Sequence, residues 1–195
     1  MNTSFNLLQE EIKKCTKCEL CKTRTNVVAG SGNPQAKIML IGEGPGYYED
    51  QKGVAFIGKS GQLLDKILAA CGFTREEHLF ISNIVKCRPP ENRDPTPAER
   101  EACLPYLLQQ IELIHPTIII LLGATALKGL IDPRARITKE RGEWRTWHHY
   151  LVMPTYHPSA LLRNPSLKRP AWEDFKKVVA KYRELVDPDH FSAHC

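Results

Sequence analysis

The chain has 195 residues, and 42% of them are hydrophobic, which is enough for one domain with a sizeable core. Its 27 Lys and Arg residues against 22 Asp and Glu residues give a net charge of +5, which is compatible with a polyanionic partner without specifying one. The first residues are charged and amphipathic, and the longest apolar run, residues 118–122, is far too short to span a bilayer. These features argue against a secreted or membrane-bound protein, so we expect a cytoplasmic chain with one domain over residues 1–195.

The predicted elements begin with a short helix over residues 5–14. Residues 36–41 (AKIMLI) predict a buried strand that ends in the glycine-rich loop GEGPG. Apolar side chains at helical spacing then predict a helix that has Ser60 as its N-cap, runs to about Cys71 and is closed by Gly72.

The second half of the chain continues the alternation of strands and helices. Residues 79–85 predict a second strand and residues 117–122 (TIIILL) a third. Between these strands, residues 96–99 (TPAE) form a capping box with proline at the first helical position, which starts a helix reaching about Ile114. The remaining predicted elements are a short helix over residues 124–130, extended segments over 143–147 and 150–154, and a last helix over 170–185.

Strands that alternate with helices imply a parallel sheet with helices on both faces. We therefore predict an α/β fold with three layers, α/β/α, around a central, mostly parallel four-stranded sheet. Such sheets bind ligands beyond the carboxyl ends of their strands. The loops that follow residues 41, 85, 122 and 154 are the predicted location of a functional site.

One motif in the first half is misleading. Residues 53–60 (GVAFIGKS) match the phosphate-loop pattern GxxxxGK(S/T), but a phosphate loop needs a strand directly before it. The preceding YYEDQK makes a poor buried strand, and the third strand ends in LLG with no aspartate to hold magnesium. Bulky Val54, Phe56 and Ile57 also lie inside the loop. We therefore predict an ordinary loop before a helix instead of a nucleotide site.

Four cysteines form the pattern with the most specific chemistry. Cys15 and Cys18 are spaced so that both thiolates can bind one metal centre, whereas Cys87 and Cys103 lie far downstream. Thiolates suit zinc or an iron–sulfur cluster, and clustered cysteines in a cytosolic chain favour such roles over disulfides. Folding has to bring the two pairs together. The site would then be a staple that joins residues 15–18 to residues 87–103.

Three of the predicted loops contain unusual side chains. Residues 42–46 (GEGPG) let backbone N–H groups approach a planar ligand, although a tight turn with a solvated Glu43 is the simpler alternative. Asn83 offers an acceptor and two donors in one plane, although a lone asparagine often only caps a turn. Residues 157–164 (HPSALLRN) combine an imidazole, two leucines and an arginine. These leucines belong either to the core or to a wedge that enters a base stack.

These motifs, in this order and together with the four cysteines, resemble the iron–sulfur uracil-DNA glycosylases of type 4. The motifs are GEGPG after the first strand, Phe56 in the next loop, SNIVKCRPP and HPSALLRNP, and the resemblance runs from about residue 15 to residue 179. It implies a monofunctional DNA-repair enzyme that flips uracil out of single- or double-stranded DNA and hydrolyses its N-glycosidic bond. We expect a monomer in the cytoplasm, associated with the nucleoid.

The resemblance implies a 4Fe–4S cluster as the occupant of the cysteine site. Its ligands would be Cys15, Cys18, Cys87 and Cys103. Of the seven cysteines in the chain, the remaining three are predicted to stay outside the cluster. Cys21 would lie near the cluster without binding it, Cys71 would be buried in a helix, and Cys195 is the last residue of the sequence and has no predicted role.

The resemblance also implies roles in base recognition and bond cleavage. His157 would donate to uracil O2, and Asn83 would hydrogen-bond the edge formed by O4 and N3–H. Glu43 would orient or deprotonate the attacking water, although Gly44 occupies the slot where better-known relatives carry an aspartate. The remaining implied contacts to the base are backbone groups of Gly42, Glu43 and Gly44, stacking by Phe56, and exclusion of a C5 methyl group by Glu49.

The last motif is implied to contact the DNA. Leu161 or Leu162 would fill the gap left by the extruded nucleotide, and Arg163 would grip phosphates. Two other interpretations of the sequence stay open. One is an iron–sulfur DNA-binding or polymerase-associated module without catalytic activity, and the other is a scaffold stapled by zinc.

Overall fold

The computed structural model describes residues 3–195, and its centre is a sheet of short, buried apolar strands. Three of them are buried at every position, as expected for strands covered on both faces. The strands within the described residues are β1 (Ser31–Gly32), β2 (Ile38–Gly42), β3 (Leu79–Asn83), β4 (Ile118–Leu122), β5 (Arg145–Trp147) and β6 (Tyr150–Thr155).

The strand order across the sheet is β1-β3-β2-β4-β6-β5. The four inner strands, β3, β2, β4 and β6, are parallel to one another, so the predicted parallel α/β architecture is confirmed. Beyond this central four-stranded sheet, β1 and β5 add antiparallel pairs at its two edges. The β1 strand is the dipeptide Ser-Gly, which carries no strand pattern, and it forms only by pairing with β3.

Helices cover both faces of the sheet. They are α1 (Thr3–Lys13), α2 (Tyr47–Lys52), α3 (Lys59–Ala70), α4 (Pro97–Ile114), α5 (Ala124–Leu130), α6 (Ile137–Glu140), α7 (Pro158–Arg163) and α8 (Lys168–Leu185). Adjacent residues of β4 point to opposite faces. Ile119 packs with Leu107 of α4 in one apolar cluster, whereas Ile120 packs with Leu64 of α3 and Val178 of α8 in the other.

The ends of two helices test the predicted capping signals. The capping box of α4 is confirmed, since Thr96 accepts from the Glu99 N–H while the Glu99 carboxylate accepts from the Thr96 N–H at 2.7 Å. The predicted Ser60 cap is wrong, because α3 begins at Lys59 with Gly58 as its N-cap. The Gly58 N–H is instead bound by the side chain of Glu49, one helix earlier in the chain.

Two short helices occupy segments for which no helix was predicted. YYEDQK forms α2, so a helix and not a strand precedes the phosphate-loop pattern, in agreement with the rejection of a nucleotide site. HPSALLRNP contains α7, with Pro158 at its first position and His157 as its N-cap. Among residues 3–195, no helix is both long and apolar enough to cross a membrane.

Candidate active site

A cleft of about 670 Å³ opens where the four parallel strands end. Its walls include four of the residues predicted to act on a base: Glu43, Phe56, Asn83 and His157. Glu43, Asn83 and His157 come together because the carboxyl ends of parallel strands meet at one edge of the sheet, and Phe56 comes from the loop between α2 and α3. A cleft of this volume is in the range that binds small planar ligands. Gly44 and Glu49 also line it.

Asn83 lines this cleft and has an acceptor without a partner among the described residues. It is the last residue of β3, and its Oδ1 atom is buried without a hydrogen-bond partner within residues 3–195. A buried carbonyl oxygen without a donor is unfavourable, so an N–H group of a ligand would relieve it. Gly42 lies opposite in β2, and a Cβ there would stand 2.5 Å from Oδ1 and 2.7 Å from the Phe56 ring. The glycine therefore lets the amide and the ring approach each other.

His157 is held as a neutral imidazole. Its Nδ1 accepts the Ser159 N–H at 3.1 Å and lies 2.8 Å from the Ser159 hydroxyl. Packing of the surrounding protein, with the nearby charge of Arg163, lowers the pKa of the imidazole to about 4. Because Nδ1 is an acceptor, the proton of the neutral ring is on Nε2, which is left to donate. The ring centroid lies 5.6 Å from that of Phe56.

Glu43 is fixed by a residue that the sequence analysis did not single out. Thr125, in the first turn of α5, donates its hydroxyl to the Glu43 carboxylate. Burial raises the pKa of Glu43, and the hydrogen bond from Thr125 opposes that shift. The carboxylate is therefore oriented at the end of β2, with a pKa above its ordinary value. Position alone could have suggested Thr125, since it follows a buried strand by three residues.

Glu49 lines the cleft, but its carboxylate is already engaged. Its Oε1 accepts the N–H groups of Ile57 at 2.8 Å and Gly58 at 2.7 Å. The exclusion of a C5 methyl group by Glu49 stays a prediction. The structure shows a second role for this carboxylate, because its hydrogen bonds fix the backbone that follows Phe56.

The structure corrects one of the predicted DNA contacts. Leu161 is 1% exposed and packs inside the protein, so it is not available to enter a base stack. Leu162, the next residue of α7, is 44% exposed. Arg163 is exposed and also lines the cleft. Because α7 is a helix, neighbouring leucines point in different directions, which the reading of this segment as a loop could not anticipate.

The four predicted cluster ligands meet in a second cavity. Cys15, Cys18, Cys87 and Cys103 all line one small cavity of about 10 Å³. Cys21 also lines it, although it was predicted to be a bystander. Within residues 3–195, no three His, Cys, Asp or Glu side chains converge closely enough to hold a single metal ion.

The surroundings of these cysteines suit an iron–sulfur cluster. Three N–H donors point at sulfur atoms: Lys17 N at 3.4 Å from Cys15, Lys86 N at 3.3 Å from Cys103, and Arg24 Nη1 at 3.1 Å from Cys87. Such N–H···S contacts stabilise the thiolate ligands of a cluster. Burial raises the pKa of Cys87 to about 11, so metal binding there has to displace a proton. The four cysteine thiols and the N–H donors around them therefore fit a 4Fe–4S cluster.

Comparison with known proteins gives one family. The chain matches the Uracil DNA glycosylase superfamily over residues 29–176. A type-4 uracil-DNA glycosylase of Thermotoga maritima is 49% identical over 178 residues, which cover 89% of this chain and 92% of the relative. A type-4 uracil-DNA glycosylase of Saccharolobus solfataricus is 47% identical over 184 residues, which cover 90% and 85%. A DNA polymerase of Bacillus phage SP01 contains a segment that is 38% identical over 146 residues, covering 75% of this chain but 15% of the polymerase.

Proposed function

Because this chain belongs to the uracil DNA glycosylase superfamily, with type-4 enzymes among its relatives, we propose that it excises uracil from DNA. It would hydrolyse the N-glycosidic bond of an extruded deoxyuridine and leave an abasic site. The observation that carries the proposal is the unpartnered Asn83 Oδ1 in a cleft that also holds the neutral His157. These two groups match the N–H and carbonyl groups on the edge of a uracil ring.

Asn83 would discriminate uracil from cytosine. Its buried Oδ1 would accept the N3–H of uracil while its NH₂ group donates to O4. Cytosine has the opposite polarity on this edge, with an acceptor at N3 and a donor amino group at C4. The Asn83 oxygen would then face an acceptor and its NH₂ group would face a donor. Phe56 would stack on the face of the base, as an aromatic ring can for any extruded nucleobase.

His157 would stabilise the charge that develops as the bond breaks. Cleavage leaves an anionic uracil, and the Nε2–H of the neutral ring would donate to O2 as negative charge accumulates there. A pKa of about 4 makes this ring a poor proton source at neutral pH, so its contribution is a hydrogen bond and not full proton transfer. The Ser159 contacts to Nδ1 hold the tautomer that this role needs.

Glu43 would act on the sugar side. Held by Thr125, its carboxylate would orient the attacking water, accept its proton and stabilise the positive charge on the sugar in the transition state. On the surface, the exposed Leu162 would enter the gap left in the base stack. Arg163, Lys168 and Arg169 are exposed nearby and would contact phosphates of single- or double-stranded DNA.

A 4Fe–4S cluster bound by Cys15, Cys18, Cys87 and Cys103 is part of the proposal. When bound, it would supply iron–thiolate bonds that join the N-terminal segment to residues 87–103. The chain's own contribution is the cavity and the N–H donors of Lys17, Arg24 and Lys86. No residue of the base-binding cleft is a ligand in this proposal, so the cluster is structural. We further propose a cytoplasmic, nucleoid-associated monomer.

Incubation with uracil-containing oligonucleotides, followed by alkaline cleavage of abasic sites, tests this function. We expect strand breaks at uracil in single-stranded, U·G and U·A substrates, and their loss in His157→Ala. If the protein produces no breaks on any of the three substrates, the proposal is wrong. A non-catalytic module, for which the similarity to a phage polymerase is the supporting observation, predicts tight DNA binding with no breaks.

A further inference from the structure

The backbone of Phe56 is held in an unusual conformation. Its φ angle is +53°, in the left-handed region that a bulky aromatic residue rarely adopts. Such a conformation persists only where surrounding contacts hold it, and it tends to be found where a side chain has to be aimed at a ligand. The contacts that fix Phe56 are therefore candidates for positioning the base-stacking ring.

Arg75 supplies the most direct of these contacts. It lies in the turn between α3 and β3 and is not part of the cleft wall. Its Nη1 donates to the Ala55 carbonyl at 2.8 Å and its Nη2 to the Phe56 carbonyl at 2.5 Å. Its Nε donates to Asp65 at 2.7 Å, which anchors the guanidinium to α3. The planar fork of an arginine suits two adjacent carbonyls in a way that the ammonium of a lysine cannot reproduce.

Other contacts leave the Phe56 peptide little freedom to move. A Cβ on Gly61 of α3 would stand 1.8 Å from the Phe56 carbonyl oxygen, so the loop lies directly against the helix. On the following residues, Glu49 binds the N–H groups of Ile57 and Gly58. The loop is thus held at its carbonyls by Arg75 and at its next N–H groups by Glu49. The direction of the Phe56 ring follows from these two sets of hydrogen bonds.

We propose that Arg75 is a positioning residue for uracil binding, acting through the backbone of Phe56 without touching the base. This inference rests on the proposed function. Without the guanidinium, the Ala55 and Phe56 carbonyls lose their donors, and the left-handed conformation loses what holds it. The ring would then relax away from the face of the base and from His157, while the DNA-binding surface around α7 stays unchanged.

A double-mutant cycle tests this role. We expect Arg75→Met to lower kcat/KM on a uracil oligonucleotide roughly 10–100-fold, because misplaced contacts to a reacting group carry penalties of this size. Phe56→Ala should cause a similar loss. If Arg75 acts through the ring, the double variant should be no worse than Phe56→Ala by more than about threefold. Affinity for an oligonucleotide without uracil should not change in any of the three.

Arg183 offers a matched control. Like Arg75, it donates to backbone carbonyls, those of His190 and Cys195, but these lie in the C-terminal segment away from the cleft. Arg183→Met should therefore lower thermal stability without changing the kcat/KM of the folded protein. Arg75→Lys keeps the positive charge but loses the two-pronged guanidinium, so it should lower kcat/KM as Arg75→Met does. If Arg75→Met does not fold, Arg75→Lys replaces it in the double-mutant cycle.

Two results would overturn the inference. One is an Arg75 variant that is folded and has wild-type kcat/KM, and the other is a double variant in which the two losses multiply. Either result leaves the proposed function intact if the wild-type protein still releases uracil. An inactive wild-type protein, in contrast, refutes the proposed function itself, so the two failures are distinguishable.

Discussion

At the scale of single residues, the amide of Asn83 carries the discrimination between bases. Asn83→Asp replaces the donor to O4 with a carboxylate oxygen, and it places negative charge beside a uracil that becomes anionic as the bond breaks. We expect kcat/KM for uracil excision to fall by roughly 10²–10³-fold, the usual cost of losing one oriented donor to a developing oxyanion. Single-turnover cleavage measures this directly. Excision within about threefold of wild type would contradict the assigned role.

The pKa of His157 leads to a second prediction at this scale. The pKa of His157 is about 4, below the ordinary value of 6.5, so the ring stays neutral from pH 8 to about pH 5. We therefore expect His157 to cause no change in kcat/KM over that range. Activity should fall as pH drops through about 4, where the added proton on Nδ1 breaks the hydrogen bond from the Ser159 N–H.

The lowered pKa of His157 also makes the folding stability of the protein depend on pH. The unfolded chain takes up this proton first, so the histidine lowers folding stability as pH falls from 6.5 towards 4, and the effect is absent above 6.5. A pH profile of kcat/KM for wild type and Ser159→Ala, with imidazole titration by NMR, checks both statements. An ionisation of His157 near pH 6.5 in the wild-type protein would show that the ring is not held neutral.

The motifs made it possible to predict the side chains that face the cleft, but not the residues that orient them. Glu43, Asn83 and His157 line one cleft, as expected for residues at the ends of parallel strands, and Phe56 joins them from the loop between α2 and α3. Their partners Thr125 and Arg75 lie far from them in sequence, and only the packing of helices on the sheet brings them close. The place of Thr125, three residues after a buried strand, is the one local signal, and no local pattern points to Arg75.

At the scale of elements, α7 separates a core leucine from a surface leucine, and this pair provides a matched experiment. Leu162→Ala should leave stability nearly unchanged but lower excision from double-stranded DNA, since an extruded base needs a side chain to fill its gap. The loss should be smaller on single-stranded DNA. Leu161→Ala should instead destabilise the protein by about 2–5 kcal/mol, as buried leucine truncations do.

Thermal unfolding and excision rates on the two substrates distinguish these outcomes. If the two variants lose stability equally, the assignment of core and surface positions in α7 is wrong. If Leu162→Ala excises uracil from double-stranded DNA at the wild-type rate, the exposed leucine is not a wedge.

The elements that could be predicted are those with a strong periodic or capping signal. The boundaries of α5 and the capping box of α4 agree with their predictions, because the apolar spacing and the TPAE signal are local. The start of α3 could not be predicted. Its first turn is set by the distant carboxylate of Glu49 and not by Ser60.

At the scale of the whole molecule, the cysteine cavity joins the N-terminal segment to the loop that follows β3. Cys87→Ala should reduce bound iron and lower both thermal stability and DNA affinity, while any folded fraction still releases uracil. Cys21→Ala is the control, because Cys21 faces the same cavity but is not one of the four predicted ligands.

Iron content, visible absorption of anaerobically purified protein and the abasic-site assay give the readouts. Full iron loading of Cys87→Ala, or equal loss of iron in both variants, would show that the ligand set is assigned wrongly. A Cys87→Ala protein that folds and binds DNA but releases no uracil would contradict a purely structural cluster.

The two edges of the sheet have a consequence for the behaviour of the protein at high concentration. The edge strands β1 and β5 are only two and three residues long. Long exposed edges act as templates on which another chain adds a strand, and very short ones offer few unpaired N–H and C=O groups for this. The apolar strands that would aggregate most readily are the inner ones, which have neighbours on both sides. The arrangement therefore protects the folded protein against strand-to-strand aggregation, and it concentrates that risk in the unfolded chain, where β2 and β4 lose their neighbours.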